Sequence, residues 1–333
     1  MKKFKILVLT DHHTHGKGES IYELLQTMVK HPYCFEICIA TRGEEKNRGF
    51  FSDFDQPTVY AKVVDKNFHY SNTGHWYSNT ESVIISEFDV LFLRIDRPLT
   101  DVQLKKIGRN FRDLLIINEP DGIIETGSKR FLLNFPELCP DIVLCHTIED
   151  VHEQLKTHPV VLKPLHGYGG VGLARVDQHT VFIEDNQYSH AKGMSLVDDY
   201  LKHSGAMLSM RYLKKFRNGD KRIVVVGGEV LGATLRLPAA NSWLCNLKQG
   251  GNASFAEADD NELKIAKIIS PILNKNGVII FGFDTLEDDN GVRRLSEINT
   301  LNVGGLLQAQ EFSQKPVIEN ASSIIWEHIN KMA

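Results

Sequence analysis

The sequence has no apolar run near the roughly 18 residues that a membrane-spanning helix requires, which excludes an integral helical membrane protein. It also lacks a surplus of one charge. Its 38 Lys and Arg against 42 Asp and Glu leave a formal charge of -4, so neither nucleic acid nor an anionic membrane is an expected partner. Cysteine is scarce: Cys34, Cys38, Cys139, Cys145 and Cys245 make an odd count of 5 without a CxxC pair. A disulfide framework is therefore excluded, and reduced, buried thiols in a cytosolic (cytoplasmic) protein are expected. Internal repeats and low-complexity linkers are absent. The opening MKKFKILVLTD has basic residues and then a short apolar run, but it ends in Asp11 and histidines without a small-residue cleavage site. A first strand is expected there, not a signal peptide.

What is present is a chain of 333 residues, 42% hydrophobic, long enough for two or three packed units. From residue 4 to about 122, apolar runs (FKILVLT, FEICIAT, VLFLRI, LLIIN) alternate with helical stretches such as ESIYELLQTMV, as in an open parallel α/β sheet. The segment from about 43 to 80 has no clear period and is expected to be a long loop. After Pro120 the pattern gives helix, short strand, helix (TIEDVHEQLKTH) and strand PVVLKPL, a smaller α+β unit. From about 206 strands dominate: AMLSMRYL, KRIVVVGGEV, LGATLRL, then helix DNELKIAKIISPILNKN, VIIFGFDTL, a DDNG turn and VRRLSEINT. Asn-Gly accepts the positive φ values of a tight hairpin turn.

Four segments carry chemistry. In VVLKPLHGYGGVGLARV, Lys163 ends a strand and a loop with Gly167, Gly169, Gly170 and Gly172 leads to the next strand. Glycines let backbone N–H groups close on phosphate oxygens. The order excludes three phosphate loops, because a Walker A loop and a dinucleotide fingerprint both open a helix, and a kinase loop places its lysine on the following strand. In VIIFGFDTLEDDNGVRRLSEINT, Asp284 ends one strand, and period two puts Glu297 and Asn299 on one face of the returning strand. An all-oxygen set of this kind suits magnesium on phosphates; a hairpin with a polar solvent face is the plainer reading. GDKR places Arg222 where a guanidinium could clamp a phosphoryl group, or where a surface turn lies. The cluster His12, His13 and His15 has no partner set at zinc spacing, and a substrate-side loop at a strand end is expected.

Lys129, KPLHGYGG, the MRYL strand, GDKR, the NLKQGG loop, GFD and SEIN occur in an order and spacing that resembles the ATP-grasp ligases, most of all the bacterial glutathione synthetase family. The resemblance implies an α/β fold with an N-terminal Rossmann-like substrate domain (1–122), a small ATP-grasp lobe (123–205) and a C-terminal lobe with the metal site (206–333). It further implies ATP with magnesium, or manganese in its place, as cofactors. Lys129, Lys163 and the loop residues Gly167, Tyr168, Gly169 and Gly170 would contact ATP phosphates, with Tyr212 and Leu213 beside the adenine. Arg222 and Asn246 would face the transferring phosphoryl group, and Asp284, Glu297 and Asn299 would hold the metal. Ser20, Arg94, Gly304 and Gly305 would position the substrate. The implied activity joins γ-glutamylcysteine to glycine through an acyl phosphate, in a homo-oligomer.

The chain departs from that family's pattern at several positions. Met210 replaces a polar residue at the adenine-linking segment, Leu244 an arginine, Ile95 a lysine, and INTLNVGGL stands where the family has INVTSPTC. A ligase for another peptide or amino acid, or a nucleotide-binding protein without the reaction, therefore stays open at this stage.

Overall fold

The computed structural model describes residues 2–167, 169–239, 243 and 252–333. Among the described residues the strands form three sheets. The first contains β1 (Phe4–Thr10), β2 (Cys34–Thr41), β3 (Thr58–Val63), β4 (Glu81–Ile84), β5 (Val90–Arg94) and β6 (Leu115–Ile117), in the order β4-β3-β2-β1-β5-β6. Strands β2, β1, β5 and β6 are parallel, and their helices α1 (Ile21–Met28), α2 (Arg48–Asp53) and α3 (Asp101–Asn110) lie between them in sequence. The expectation of a long loop over 43–80 was wrong. That stretch contains α2 and β3, which pairs antiparallel with β2 and β4. In β3, Val59 and Ala61 face inward and Tyr60 and Lys62 are half-buried, a short alternation hidden among polar neighbours.

Helix α4 (Pro120–Gly127) leads to the second sheet: β7 (Ile142–Cys145), β8 (Val160–Pro164), β9 (Ala174–Val176), β10 (Thr180–Ile183), β11 (Asn186–Ser189) and β12 (Met207–Arg211), ordered β11-β10-β9-β8-β12-β7. Helices α5 (Ile148–Leu155) and α6 (His190–Ser204) supply Val151, Leu155, Met194, Val197 and Leu201 to the core beneath it. The third sheet contains β13 (Asp220–Val226), β14 (Glu229–Leu237), β15 (Asn252–Ala256), β16 (Ile280–Glu287) and β17 (Arg293–Asn299), ordered β15-β14-β13-β16-β17. Helix α7 (Asp260–Lys275) packs Ile265, Ile269 and Leu273 against one face of it. Its Asp259/Glu262 capping box fixes the helix start.

Helices α8 (Leu306–Ser313) and α9 (Val317–Met332) return to the first sheet. The fully buried Trp326 joins a core that mixes Ile6, Val8 and Phe92 of that sheet with Val224 and Val226 of β13, and its indole N–H donates to the Met28 carbonyl at 3.2 Å. Burying one such side chain contributes roughly 1.5–3 kcal/mol, so this shared core fixes the first sheet against the third. Asn118 strengthens the same junction. Its side-chain amide donates to the carbonyls of Ile280 (2.6 Å) and Thr300 (2.8 Å) and accepts from the amides of Ile279 and Ile280 (both 3.0 Å).

The β16–β17 turn closes differently from a two-residue Asn-Gly hairpin. Only Gly291 (φ +87°) takes a positive φ there, and the Asp288 carboxylate accepts from the amides of Asn290 and Val292, both at 2.9 Å. No helix among the described residues is long and apolar enough to cross a membrane.

Candidate active site

A cleft opens between the second and third sheets, and strand periodicity decides what faces it. On β13, Asp220 and Arg222 point into the cleft, while Lys221 points the other way and meets the fully buried Glu262 of α7 at 2.8 Å. On β16, Asp284 and Leu286 face the cleft, and Thr285 turns to the helix side to bond Glu262. Lys163 and Val161 of β8 face it from the second sheet.

The cleft has two ends of different chemistry. One is an apolar slot with Val161, Leu173, Met210, Leu213 and Leu286 among its walls; Tyr212 lies beside it, with its backbone N–H already donated to the Pro159 carbonyl at 2.8 Å. The other end is charged. Arg222 Nη2 donates to Asp284 Oδ2 at 2.9 Å, and Arg222 Nε forms the second tooth of the fork on Oδ1. Arg236 of β14 makes its own fork on Asp220 (2.8 and 2.7 Å) and reaches Asp284 Oδ2 at 2.9 Å. Burial alone would raise the Asp284 carboxyl, but the two guanidiniums outweigh it and hold the group well below the usual carboxylate range. Burial dominates at Asp220 and, with the Asp284 charge nearby, pushes it up to about 6 against the pull of Arg236.

Both lysines singled out in the sequence arrive at this end. Lys163, nearly buried, donates to the Ser296 carbonyl at 2.9 Å. Burial lowers it below the ordinary lysine range, with Glu297 opposing and Lys129 adding to the shift. Lys129 donates to the Gly167 carbonyl and stands 3.3 Å from Glu297 Oε1. Gly169 and Gly170, with φ of +66° and +82°, line the cleft in the left-handed region that favours glycine. Asp284 and Glu297 are cross-strand partners on β16 and β17, and Asn299 pairs with Gly282 two positions along. All three line the cleft, and among the described residues Asn299 Nδ2 is buried without a hydrogen-bond partner.

These residues fit a divalent cation and a polyphosphate. Two carboxylates and an amide form an oxygen donor set for a hard ion. The cations Lys129, Lys163, Arg222 and Arg236 surround it, and the apolar slot continues from it as a planar base would require. Asp220 and Arg236 were missed in the sequence. No local pattern marks them: Arg236 lies directly opposite Asp220 of GDKR, a pairing that only the register of β13 and β14 shows.

Other expected site residues stand elsewhere. Ser20 is fully buried and its Oγ accepts from the Leu307 amide at 3.1 Å. Arg94 is 2% exposed and donates to the Val303 carbonyl at 3.1 Å. They meet the turn carrying Gly304 and Gly305 (φ +114°) at the junction of the first and third sheets, not on the cleft wall. Tyr168 and Asn246 lie outside the described residues. The histidines form a network: His15 bonds Thr10 Oγ1 (2.9 Å) and the Tyr22 hydroxyl (2.8 Å), while His12 stacks on Tyr77. Among the described residues, no cluster of His, Cys, Asp and Glu has the form of a metal site.

A profile of the family described as "Prokaryotic glutathione synthetase, ATP-grasp domain" matches residues 128–314. The glutathione synthetase of Bradyrhizobium diazoefficiens is 30% identical over 227 residues, covering 67% of this chain and 68% of the relative. That of Agrobacterium fabrum is 27% identical over 283 residues, with 82% of each covered. Among solved structures, D-cycloserine synthetase DcsG superposes with a TM-score of 0.65 over 98% of this chain and 99% of that one, at 12% identity. A Chryseobacterium gregarium RiPP-associated ATP-grasp ligase gives a TM-score of 0.60 at 15% identity, over 100% of this chain and 98% of its own; both likenesses carry the α/β fold alone. With more than half of its length inside that profile and a 30% identical relative across two thirds of it, the chain belongs to the prokaryotic glutathione synthetase family of ATP-grasp enzymes, the ATP-dependent C–N ligases.

Proposed function

We propose that the protein is a glutathione synthetase, joining γ-glutamylcysteine to glycine with ATP. The observation that carries this reading is the convergence of Lys129, Lys163, Arg222 and Arg236 on the Asp284–Glu297–Asn299 face at the charged end of a cleft whose other end is apolar. The curated relatives named glutathione synthetase support the substrates.

On this reading the apolar slot takes the adenine, and Lys129 and Lys163 hold the phosphates. Asp284, Glu297 and Asn299 would hold magnesium, which supplies charge neutralisation on phosphate oxygens. A substrate carboxylate attacks the γ-phosphorus, the bond to the ADP oxygen breaks, and an acyl phosphate forms. The amine nitrogen then attacks the acyl carbon, the carbon–oxygen bond to phosphate breaks, and the nitrogen loses a proton. Arg222 and Arg236 stabilise the charge that spreads over the phosphoryl oxygens, which is where positioned guanidiniums contribute most. Both now neutralise Asp284, so ligand binding would exchange one anionic partner for another without leaving a buried guanidinium unpaired.

The test is phosphate release from ATP and magnesium by the purified protein with γ-glutamylcysteine and glycine, each omitted in turn, with mass spectrometry of the product. Release that depends on both, with glutathione formed, is the expected outcome. Release stimulated only by other amino acids or dipeptides would retain the ligase and overturn the assignment of substrates.

A further inference from the structure

A second cavity adjoins the cleft and shares Glu297 and Asn299 with it. His166, from the glycine-rich loop between β8 and β9, is exposed and lines this cavity beside Gly167. The turn that presents it is tied down on both sides. The Gly167 N–H donates to the Pro164 carbonyl at 3.3 Å, and the Lys129 N–H donates to the Leu165 carbonyl at 2.9 Å. The Lys129 ammonium donates to the Gly167 carbonyl and stands 3.3 Å from Glu297 Oε1. One lysine therefore joins the backbone next to the imidazole to the edge of the oxygen donor set. A Cβ on Gly167 would lie 3.2 Å from both Pro164 Cβ and the Val171 carbonyl oxygen, so a side chain there would have to push the turn open.

The reaction needs a proton acceptor at this edge. An amine that arrives as ammonium has no lone pair, and it must give up a proton before it can attack an acyl carbon. The other titratable groups that line the two cavities are already committed. Asp284 and Asp220 are held in the forks of Arg222 and Arg236, and Glu297 pairs with Lys129. Asp96 accepts from Asn302 at 2.7 Å, the Tyr212 hydroxyl accepts from Arg175 at 3.4 Å, and Lys163 donates to the Ser296 carbonyl at 2.9 Å. His166 alone among them makes no hydrogen bond or ion pair among the described residues. Imidazole is also the side chain that most often serves as a general base.

We propose that His166 is the catalytic base that frees the lone pair of the incoming amine. One proton passes from the ammonium to an imidazole nitrogen. The amine nitrogen then bonds to the acyl carbon, and the carbon–oxygen bond to phosphate breaks. The nitrogen's second proton leaves on the departing phosphate, and the imidazolium returns its proton to water after the product has gone. Asp96 and Glu297 line the same cavity, with Arg97 across from them and Lys129 behind the turn, so the imidazolium forms where carboxylates oppose the two cations. The inference rests on the ligase reading above.

The experiment compares two nucleophiles with ATP, magnesium and γ-glutamylcysteine: glycine, which is an ammonium at neutral pH, and hydroxylamine, which is already mostly a neutral amine. In His166→Asn, kcat for glutathione formation near pH 7 should fall by about 100-fold, the size of a lost general base. Hydroxamate formation should stay within about 3-fold of the wild type, because acyl phosphate formation does not use His166. The deficit with glycine should narrow as the pH is raised from about 7 to about 9, where solution supplies more of the neutral amine. Equal losses with both nucleophiles would make His166 a part of the phosphate loop and not a base. An unchanged rate with glycine would remove it from the reaction, and either result would leave the ligase reading standing. A wild type that forms neither glutathione nor hydroxamate from γ-glutamylcysteine would remove that reading and the inference together.

Discussion

Arg222 and Asp284 are register partners across β13 and β16, and their side chains form a forked ion pair to which Arg236 adds a third contact at 2.9 Å. Asp284 is only 4% exposed, so its charge is balanced inside the protein and not by water. Asp284→Ala should therefore destabilise the ligand-free protein by about 3–5 kcal/mol, the cost of breaking a buried pair and leaving a guanidinium uncompensated. Urea unfolding without nucleotide measures this. A loss under about 1 kcal/mol would mean that the arginines find other partners.

Glu297 makes the contrasting case. Its side chain is 28% exposed and its partner is Lys129 at 3.3 Å, so Glu297→Gln should cost less than about 1 kcal/mol of stability. The same change removes one charge from the oxygen set. The magnesium concentration for half-maximal activity should rise by about 10-fold or more, with the fold intact. An unchanged magnesium response would take Glu297 out of the metal set.

Arg236 should matter to turnover more than to nucleotide binding. Arg236→Lys keeps a cation but cannot make two contacts to Asp220 and a third to Asp284 together. A fall in kcat of about 100-fold, with KM for ATP changed by less than about 3-fold, is the expected pattern. A rise confined to KM would place Arg236 on the nucleotide instead.

Sequence alone revealed the parts of this site that lie on strands with a clear period or in glycine-rich turns. Glu297 and Asn299 could be placed together because alternation assigns faces without knowing the partner strand, and Lys163 and Asp284 because each stands near the end of an apolar strand. Arg236 could not, because its importance comes from lying opposite Asp220, and register is a property of two strands. Strand β3 was hidden for a related reason: a short strand with half-buried Tyr60 and Lys62 between the inward Val59 and Ala61 gives a weak alternation, and its pairing with β2 and β4 is not legible from one strand alone. Ser20 and Arg94 were expected near the substrate from the family resemblance alone. Their burial against Leu307 and Val303 depends on a return of the chain nearly 300 residues later in the first case and 209 in the second, which no local pattern announces.

Asn118 tests that long-range closure. One amide satisfies four backbone groups of β16 and its surroundings, and Asn118→Ala would leave them buried without partners. At roughly 1 kcal/mol or more for each group left unsatisfied, a loss of about 3 kcal/mol or more is expected in chemical unfolding. A loss below 1 kcal/mol would show that water replaces the side chain.

The histidine network gives the pH dependence its sign. Thr10 Oγ1 donates to the Arg94 carbonyl at 2.8 Å, so it accepts from His15 Nε2–H, which leaves His15 Nδ1 to accept from the Tyr22 hydroxyl. The neutral ring satisfies both partners, and a second ring proton would face a donor. Burial, with Asp96 opposing it and His12 and Arg94 adding to it, lowers the His15 pKa from 6.5 to about 4. The unfolded chain therefore binds a proton near pH 6.5 that the folded protein refuses until about pH 4. Stability from this group is complete above pH 6.5 and is lost as the pH falls through that window, by at most about 3 kcal/mol and by about 2 kcal/mol between pH 7 and 5. Other histidines shift in the same direction, so the informative quantity is a difference. Unfolding free energy measured at pH 7 and pH 5 should fall more steeply for the wild type than for His15→Gln, by up to about 2 kcal/mol. Equal slopes would mean that the ring takes its second proton in the folded state as easily as in the unfolded chain, and that the tautomer drawn from Thr10 and Tyr22 is wrong.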